Sequence, residues 1–295
     1  MSELTGRTFL VTGSNTGIGR ATATELARRG GRVWIAARSP AKGQAATAEI
    51  KASTGSNQVF YLELDLADLD SVRAAAAAFL ARDEPLHVLI NNGGVAGRCG
   101  LTKQGFELIF GVNHLGHFAL TEALLGRLTE SAADSAPSRV VTVASEAHYA
   151  ATGIDFEALR RPTPRKMSRR GMVGEHEYVV SKLCNVLFTQ ELARRTAGTG
   201  VGAYAVHPGL VASSIFRLPW PIRTIIARRM HMLSVEEGAV TPLYCATSPE
   251  QALRSGQFYD KCAERAPGPA ATAELGRVLW EQSAAWTQKA PSGRR

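Results

Sequence analysis

The fold is indicated by one stretch near the amino terminus, which reads Thr8-Phe-Leu-Val-Thr-Gly-Ser-Asn-Thr-Gly-Ile-Gly19. Its first part is apolar and β-branched, which predicts a buried strand, and its three glycines predict a tight turn that enters a helix. Their spacing, GxxxGxG, differs from GxGxxG and from the GxxxxGK(S/T) of a P-loop. Because a helix that starts after such a turn presents free backbone N–H groups to an anion, the stretch predicts a phosphate-binding βα turn.

The rest of the chain alternates short β-branched runs with longer helical patterns. Because each helical run is long enough to return the chain to the same edge of a sheet, the pattern is typical of βαβ units. We expect the α/β class, with one doubly wound domain of the Rossmann type over residues 1–295 and a seven-stranded parallel sheet flanked by helices. The predicted strands are 8–11, 33–37, 58–64, 88–91, 139–144, 202–207 and 257–259, and the predicted helices are 17–29, 40–53, 68–82, 103–128, 178–195 and 235–246.

Composition places the chain among folded proteins, since 45% of its 295 residues are hydrophobic and 20% are charged. The start of the chain lacks the pattern of a secretory signal, and no later stretch offers about 18 uncharged apolar residues. We therefore expect a cytoplasmic protein with no integral membrane segment. The four cysteines have no CxxC spacing, which predicts buried thiols rather than disulfides or a zinc site.

The formal charge of +8 would suit a nucleic-acid binder, so its position along the chain matters. Two acid-free segments hold the excess: residues 158–174 carry six cations and residues 217–230 carry four, so the remainder has a net charge of −2. No nucleic-acid motif accompanies them, and we expect no such partner. Both segments lie in stretches that interrupt the βα rhythm after a strand, 147–177 and 212–233, which are predicted lids over a ligand. Cationic lids would attract NADPH or an acidic substrate.

The end of the second predicted strand distinguishes two dinucleotide cofactors. NAD sites usually place a carboxylate there for the ribose 2′-hydroxyl, whereas NADP sites place a cation for the 2′-phosphate. The chain reads Ala36-Ala37-Arg38-Ser39, with an arginine and no carboxylate. An exposed arginine at a strand end is also common in an arginine-rich chain, but the planar guanidinium suits a phosphate and favours NADP(H).

Further motifs follow in a fixed order along the chain. They are Asp65-Leu66, Asn91-Asn92-Gly93-Gly94, Asn113, Ser145, Tyr178-Val-Val-Ser-Lys182 and Pro208-Gly209. Together with the turn at 12–19, they resemble the standard one-domain branch of the short-chain dehydrogenase/reductase family. The resemblance spans nearly the whole chain and implies an oxidoreductase that interconverts a carbonyl group and an alcohol by hydride transfer.

The catalytic residues are predicted to be Asn113, Ser145, Tyr178 and Lys182. Tyr178 and Lys182 are four apart on a predicted helix and project from one face, so the ammonium group is expected to lower the phenol pKa. Tyr178 would then act as general acid or base, and Ser145 would hold the substrate oxygen. The resemblance implies that Lys182 also binds the nicotinamide ribose and that Asn113 holds a water in the proton relay.

The resemblance and the chemistry of the turn also indicate cofactor contacts. Asp65 is implied to contact adenine, although it could be a helix cap; Asn91 is implied to brace the ribose, although it could be a turn residue. Pro208-Gly209 is implied to face the nicotinamide, although it could be simple punctuation, and glycine in place of the usual alanine at position 93 adds backbone freedom. The full set is Gly13, Ser14, Asn15, Thr16, Gly17, Ile18, Gly19, Arg38, Ser39, Asp65, Leu66, Asn91, Gly93, Tyr178, Lys182, Pro208, Gly209, Val211 and Ser213.

No metal site is expected. His114 and His117 are three apart on a predicted helix and could share a metal ion, but no third ligand is near in sequence. Their apolar neighbours Phe118 and Leu120 indicate packing instead.

The long interval of 33 positions between Ser145 and Tyr178 indicates a subgroup. With the motif Asn113-His-Leu-Gly-His-Phe118 it resembles the NADP-dependent retinol dehydrogenases and protochlorophyllide reductases, which act on large apolar carbonyls or alcohols. Apolar residues at 215–226 favour a bulky hydrophobic substrate. They could equally dock a helix on the core or, with the interleaved arginines, rest on a membrane surface. The resemblance further implies a homodimer or homotetramer joined through helices 103–128 and 178–195.

Two rival functions belong to other classes. A nucleotide-binding sensor or scaffold would keep the fold and lose the chemistry, and a nucleic-acid binder would explain the charge. Retention of both Tyr178 and Lys182 favours the enzyme.

Overall fold

The computed structural model describes residues 3–134, 137–163, 173–211, 232–249 and 253–288. Its centre is an eight-stranded sheet with the order β3-β2-β1-β4-β5-β6-β7-β8. The strands are Thr8–Thr12, Arg32–Ala37, Val59–Glu63, Val88–Asn91, Ser138–Val143, Val201–His207, Phe258–Asp260 and Ala263–Arg265, numbered β1 to β8 in chain order. The order reverses between β1 and β4, so the carboxyl ends of these two strands flank the crevice in which doubly wound sheets bind ligands.

Seven helices of 12 to 21 residues surround the sheet in the described part of the chain. They are α1 Gly17–Arg28, α2 Pro40–Thr54, α3 Leu69–Leu80, α4 Gly116–Asp134, α5 Glu175–Arg195, α6 Val235–Thr247 and α7 Ala273–Thr287. A short helix, Leu108–Phe110, and a π-helical turn, Gly111–Leu115, lead into α4. The expected α/β fold of the Rossmann type is confirmed.

The predicted number of strands and two predicted helix starts need correction. Helix 103–128 begins only at Leu108, because the Glu107 side chain accepts a hydrogen bond from the Phe110 N–H and caps the helix there. Helix 178–195 begins earlier, directly after Gly174, whose φ of 67° suits glycine. The sequence did not predict α7.

The eighth strand pairs antiparallel with β7, so the sheet is not wholly parallel. The two strands are joined by a two-residue turn at Lys261 and Cys262, both of which have positive φ, 51° and 62°. Two positive φ values are typical of a type I′ hairpin turn, which usually contains asparagine or glycine. Because neither residue occurs at these positions, the sequence gives no hairpin signal.

Both faces of the sheet are covered by apolar packing. Along β1, Phe9 and Val11 contribute to one core cluster and Leu10 to the other, and β2 alternates in the same way with Val33 and Trp34. Strands buried on both faces are continuously apolar rather than alternating. This explains why β1 and β2 were recognisable as unbroken hydrophobic runs.

Helix α7 covers the outer sides of α4 and α5. Its Trp280 contacts Phe118 of α4, with ring centroids 4.9 Å apart, and stacks on Phe188 of α5 at 5.8 Å. Ser283 of α7 bonds to the buried His114, with 3.0 Å between Oγ and Nε2. Because of this cover, α5 is buried almost all round from Val179 to Thr189.

One helical stretch in the described part of the chain, Leu108–Ala132, is long and apolar enough to cross a membrane by length and composition. In this structure 72% of its apolar window is buried within the fold, as in a core helix, which meets the same criterion.

The expectation of four buried thiols holds for Cys184 and Cys245 only, since Cys99 and Cys262 are partly exposed.

Candidate active site

The sequence-predicted residues meet at the carboxyl edge of the sheet. Asn91 ends β4, Ser145 follows β5, and Pro208 with Gly209 follows β6. Tyr178 lies in the first turn of α5, and Lys182 lies one turn further on. Parallel strands end at one edge, so residues scattered over more than a hundred positions form one site.

The glycines of the first turn allow backbone segments to approach closely. A Cβ atom on Gly13, whose φ is 64°, would lie 2.7 Å from the Gly93 Cα. A Cβ on Gly19 would lie 2.8 Å from the Gly13 carbonyl oxygen and closer still to the Asn92 amide nitrogen. Thr16 begins α1 without a side-chain hydrogen bond to cap it. The first N–H groups of α1 are therefore available to a phosphate, and the turn fits the pyrophosphate of a dinucleotide.

Thr12, which sequence reasoning did not include, joins the turn to the loop after β4. Its hydroxyl accepts hydrogen bonds from the Asn92 and Gly93 N–H groups, at 2.9 and 2.8 Å, and lies 2.8 Å from Nε2 of His117. Nδ1 of His117 lies 3.0 Å from the Asn113 carbonyl oxygen, which can only accept, so Nδ1 carries the hydrogen. Nε2 is then free to accept the Thr12 hydroxyl proton. A neutral His117 thus completes the contacts of Thr12.

The two histidines considered for a metal ion are both engaged in internal hydrogen bonds. Burial lowers the pKa of His114 to about 3 and that of His117 to about 4, so both are neutral at physiological pH. The described residues contain no group of three or more side chains suited to a metal ion.

Two further predicted cofactor residues show local roles of their own. Asp65 does not cap α3, which Asp68 does; its carboxylate instead accepts a hydrogen bond from the Ala67 N–H. Asn91 donates to the Thr121 hydroxyl, while its Oδ1 is buried with no partner among the described residues.

Position 93 does not require the backbone freedom of glycine. A Cβ there would lie 2.7 Å from Cδ1 of Leu66, and the φ of Gly93 is not positive. Leu66 is itself buried against this loop. The interpretation from sequence is corrected accordingly.

The end of β2 presents its cation to solvent. Arg38 is exposed directly after the last residue of the strand, Ala37. Ser39 caps α2 by accepting from the Lys42 N–H at 3.5 Å. Arg38 and the N-terminus of α2 are therefore neighbours in the chain, a combination that suits a phosphate monoester.

The hydroxyls of Ser145 and Tyr178, both predicted to be catalytic, lie within hydrogen-bonding reach of each other. Lys182 is buried, and its Nζ donates to the Val143 carbonyl oxygen at 2.8 Å and lies 5.6 Å from the centre of the Tyr178 ring. Burial lowers the pKa of Lys182 to about 8. Burial raises the pKa of Tyr178, and the bond to Ser145 opposes that rise. The expectation that Lys182 lowers the phenol pKa is therefore wrong for the protein alone.

Asn113 lies in the π-helical turn and ties three segments together. Its Oδ1 accepts from the Val95 N–H at 2.8 Å, and its Nδ2 donates to the Val95 carbonyl and to the Ser181 hydroxyl, each at 3.0 Å. Ser181 in turn donates to the Tyr178 carbonyl at 2.8 Å. The side chain thus fixes α5 against the loop after β4, and the water relay implied for Asn113 stays a prediction.

The described part of the first predicted lid, 147–177, makes hydrogen bonds and ring contacts with the rest of the fold. The Leu159 carbonyl accepts from the Glu107 N–H at 2.8 Å, and Thr163 donates to the Glu107 carboxylate. The Arg160 guanidinium lies 4.1 Å from the ring centre of Phe106 and 5.5 Å from that of Trp286 in α7. The described part of this lid is therefore held by the chain on both sides of it.

Only the last two residues of the second predicted lid, 232 and 233, are described. Val211, which precedes the lid, pairs with Leu233, and the Leu233 N–H donates to the Leu210 carbonyl at 2.8 Å. A Cβ on Gly209, whose φ is 84°, would collide with Leu233. Ser213, the apolar residues at 215–226 and the basic residues at 165–170 and 217–229 lie outside the described residues.

Comparison with known proteins gives consistent matches. The family model for short chain dehydrogenase matches residues 7–153. Retinol dehydrogenase 12 of Mus musculus is 45% identical over 268 residues, 88% of this chain and 79% of that protein. Retinol dehydrogenase 11 of Homo sapiens is 43% identical over 290 residues, 95% of this chain and 86% of that protein. A crystal structure of a protein from Mycobacterium Paratuberculosis is 35% identical with a TM-score of 0.76, covering 97% of this chain and 95% of that one.

Proposed function

Because the chain belongs to the short-chain dehydrogenase/reductase family, it is an oxidoreductase acting on carbonyl groups and alcohols, and we propose that NADP(H) is its cofactor. Arg38 and Ser39 support this choice, since they offer a cation and a helix N-terminus where an NAD site usually has a carboxylate. The glycine turn at 13–19 would hold the pyrophosphate. When bound, the nicotinamide supplies or accepts the hydride.

The observation that carries the proposed chemistry is the placement of the Ser145 and Tyr178 hydroxyls within hydrogen-bonding reach of each other, beside the buried Lys182. Two hydroxyls that meet in this way can bind one carbonyl oxygen together. Tyr178 donates its proton to that oxygen during reduction and removes it during oxidation. A raised phenol pKa keeps Tyr178 protonated before reduction, which is the form that a general acid needs. Lys182, held by the Val143 carbonyl, would use its remaining N–H groups to bind the nicotinamide ribose.

For the substrate we propose a bulky hydrophobic carbonyl or alcohol. The relatives named retinol dehydrogenase support this size and polarity. Leu210 follows β6 and is 42% exposed, so it adds an apolar surface at the carboxyl edge of the sheet, where the proposed site lies. The apolar residues at 215–226 support it by sequence only.

We further propose that the protein is cytoplasmic and that Leu108–Ala132 stays in the core instead of spanning a membrane. The homodimer or homotetramer implied by the resemblance remains a prediction. Because α7 covers the outer side of α5, we propose that α5 does not join subunits, whereas α4 keeps an exposed face at Glu122 and Gly126. Sedimentation velocity tests whether that face of α4 joins subunits, since a dimer formed through it should dissociate in Glu122→Arg.

The test of the proposed function is a screen of aromatic, steroid-like, polyketide-like and long-chain carbonyls with NADPH and NADH. We expect turnover with NADPH and a loss of at least roughly a hundredfold in kcat for Tyr178→Phe. Arg38→Ala should raise KM for NADPH far more than KM for NADH. Tight NADPH binding with no turnover of any carbonyl would instead favour a sensor or scaffold.

A further inference from the structure

His148 lies directly behind the proposed catalytic serine. It is fully buried, three residues after Ser145, in the 3₁₀ turn Glu146–Ala150. Its Nδ1 lies 2.6 Å from the Ser145 carbonyl oxygen, and its Nε2 lies 3.0 Å from the backbone nitrogen of Gly268. The imidazole therefore bridges the catalytic turn and the segment 266–271, which are more than a hundred residues apart in sequence.

The two partners determine where the imidazole hydrogen resides. The carbonyl of Ser145 can only accept a hydrogen bond, and the N–H of Gly268 can only donate one. Nδ1 must therefore carry the hydrogen and Nε2 the lone pair, which is one tautomer of the neutral ring. Both ring nitrogens are satisfied at once, so rotation or flipping of the ring would lose two buried hydrogen bonds.

Packing holds the ring in the same position. The His148 ring contacts Tyr149, at 4.2 Å between centroids, and Phe258 of β7, at 4.8 Å in a T-shaped contact. Gly268 approaches so closely that a Cβ there would lie 3.1 Å from the Tyr149 Cα. The Tyr149 hydroxyl also donates to the Ala266 carbonyl. Segment 266–271 is thus docked on the catalytic turn by several contacts, of which only His148 reaches Ser145.

The hydrogen bonds of Ser145 show what this contact controls. Its carbonyl accepts from the His148 backbone N–H at 3.1 Å as well as from the ring, and its hydroxyl accepts from the Ala147 N–H at 3.2 Å. The residue is extended, with φ −167° and ψ 153°, so its carbonyl and side chain are set by the same two dihedral angles. Fixing the carbonyl therefore fixes the backbone of Ser145 and the position of its Cβ, while the hydrogen bond from the Ala147 N–H holds the hydroxyl itself.

We propose that His148 is a positioning residue that fixes the Ser145 peptide unit by donating from Nδ1 to its carbonyl while Nε2 is held by Gly268. The inference rests on the proposed function, because it assigns to His148 the placement of a serine whose hydroxyl binds the substrate oxygen. It also makes the segment 266–271 part of the support of the catalytic site.

Three substitutions separate the two hydrogen bonds of His148. Asparagine places an amide N–H near the position of Nδ1 and keeps only the bond to Ser145. Glutamine places an amide oxygen near Nε2 and keeps only the bond to Gly268. Phenylalanine keeps the ring between Tyr149 and Phe258 and loses both bonds. Tyr149→Phe is the matched control, since it removes the bond to Ala266 from the same segment without touching Ser145.

We expect His148→Phe and His148→Gln to lower kcat for the carbonyl roughly tenfold, the equivalent of one buried hydrogen bond, with the Kd for NADPH unchanged. His148→Asn should recover most of that loss, and Tyr149→Phe should lower only Tm. If asparagine were no better than phenylalanine, or if Tyr149→Phe lowered kcat equally, a general role in packing would replace the proposal.

A second measurement does not depend on turnover and separates this inference from the proposed function. ¹⁵N NMR of the ring should show hydrogen on Nδ1 and a lone pair on Nε2 at pH 7. The Gly268 amide should exchange slowly in the wild type and in His148→Gln, and quickly in His148→Asn. The opposite tautomer, or the same exchange rate in all variants, would overturn the role of His148 even if the protein proves to be an active reductase.

Discussion

Residues 8–150 and residues 253–288 contribute to one site by different physical means. In the first region, backbone meets backbone: Gly13 and Gly19 leave room for the loop at Asn92 and Gly93, and the Thr12 hydroxyl joins the two. In the second region, the side chains of Trp280 and Ser283 pack against α4, α5 and His114, and the Gly268 N–H donates to the His148 ring. The comparison indicates that cofactor binding depends on the first region and that the rigidity of α5 and Ser145 depends on the second.

The largest expected effect concerns the second region. Trp280→Ala removes the ring that packs against both Phe118 and Phe188, and we expect the free energy of unfolding to fall by about 3–5 kcal/mol. In the fraction that remains folded, the Kd for NADPH should stay within about twofold, because no phosphate-binding group moves. Urea unfolding with fluorescence titration of NADPH measures both quantities. Loss of NADPH affinity with unchanged stability would reverse the assignment of roles to the two regions.

The next effect concerns the first region and has the opposite pattern. Gly19→Ala places a methyl group against the Gly13 carbonyl and the Asn92 side chain, so the turn must open. We expect NADPH affinity to fall roughly a hundredfold, a change of about 2.7 kcal/mol, with a smaller change in stability. Gly126→Ala is the control, because a Cβ at that position of α4 meets no atom within 4 Å. It should leave affinity unchanged and make the protein slightly more stable.

Acid should weaken the link between the regions. His114 and His117 have folded pKa values of about 3 and about 4, below the unfolded value of about 6.5, so the unfolded chain binds protons first as pH falls. Stability is fully present above pH 6.5 and is lost below it. From these two residues we expect a loss of about 1–2 kcal/mol between pH 7.5 and pH 6.

Urea unfolding at the two pH values measures this loss. His114→Gln should reduce the pH dependence, whereas His176→Gln, at an exposed position, should leave it as in the wild type. A pH dependence that both changes leave intact would exclude His114 as its source.

The smallest effect lies in the β7–β8 hairpin. Lys261 is exposed with a φ of 51°, a conformation that asparagine adopts more readily than lysine. Lys261→Asn should therefore raise the free energy of unfolding by about 0.5 kcal/mol without changing kcat. A lower urea midpoint would indicate that the lysine side chain itself stabilises the turn.

The sequence predicted what local chemistry determines. Strands β1 to β7, the glycine turn and the order of Ser145, Tyr178 and Lys182 follow from hydrophobic runs, glycine spacing and motif order. Strand β8 did not, because its three residues are all exposed and its turn contains no glycine or asparagine. The Thr12–His117 and His148–Gly268 contacts join residues 105 and 120 positions apart, which no local pattern can show. The sequence does place His117 one helical turn after Asn113, which indicates that these two residues can contact each other, but it does not indicate the contact of His117 with Thr12.

The pKa of Tyr178 shows the limit most clearly. Spacing placed Lys182 beside it and predicted a lowered value, yet Lys182 donates to Val143 and burial dominates. The sequence can indicate that two side chains are neighbours. Which acceptor the lysine donates to depends on the carbonyl groups that the fold brings near it.

The position of α7 also orders events during synthesis of the chain. A ribosome releases residues 8–150 first, so the glycine turn and its contact with Asn92 can form while later segments are still being made. Until residues 266–288 emerge, Nε2 of His148 has no Gly268 to bind, and the aromatic faces of Phe118 and Phe188 are uncovered. A nascent chain therefore acquires its nucleotide-binding turn before its catalytic serine is fixed, and its exposed α4 and α5 surfaces are the ones that a chaperone would recognise during that interval.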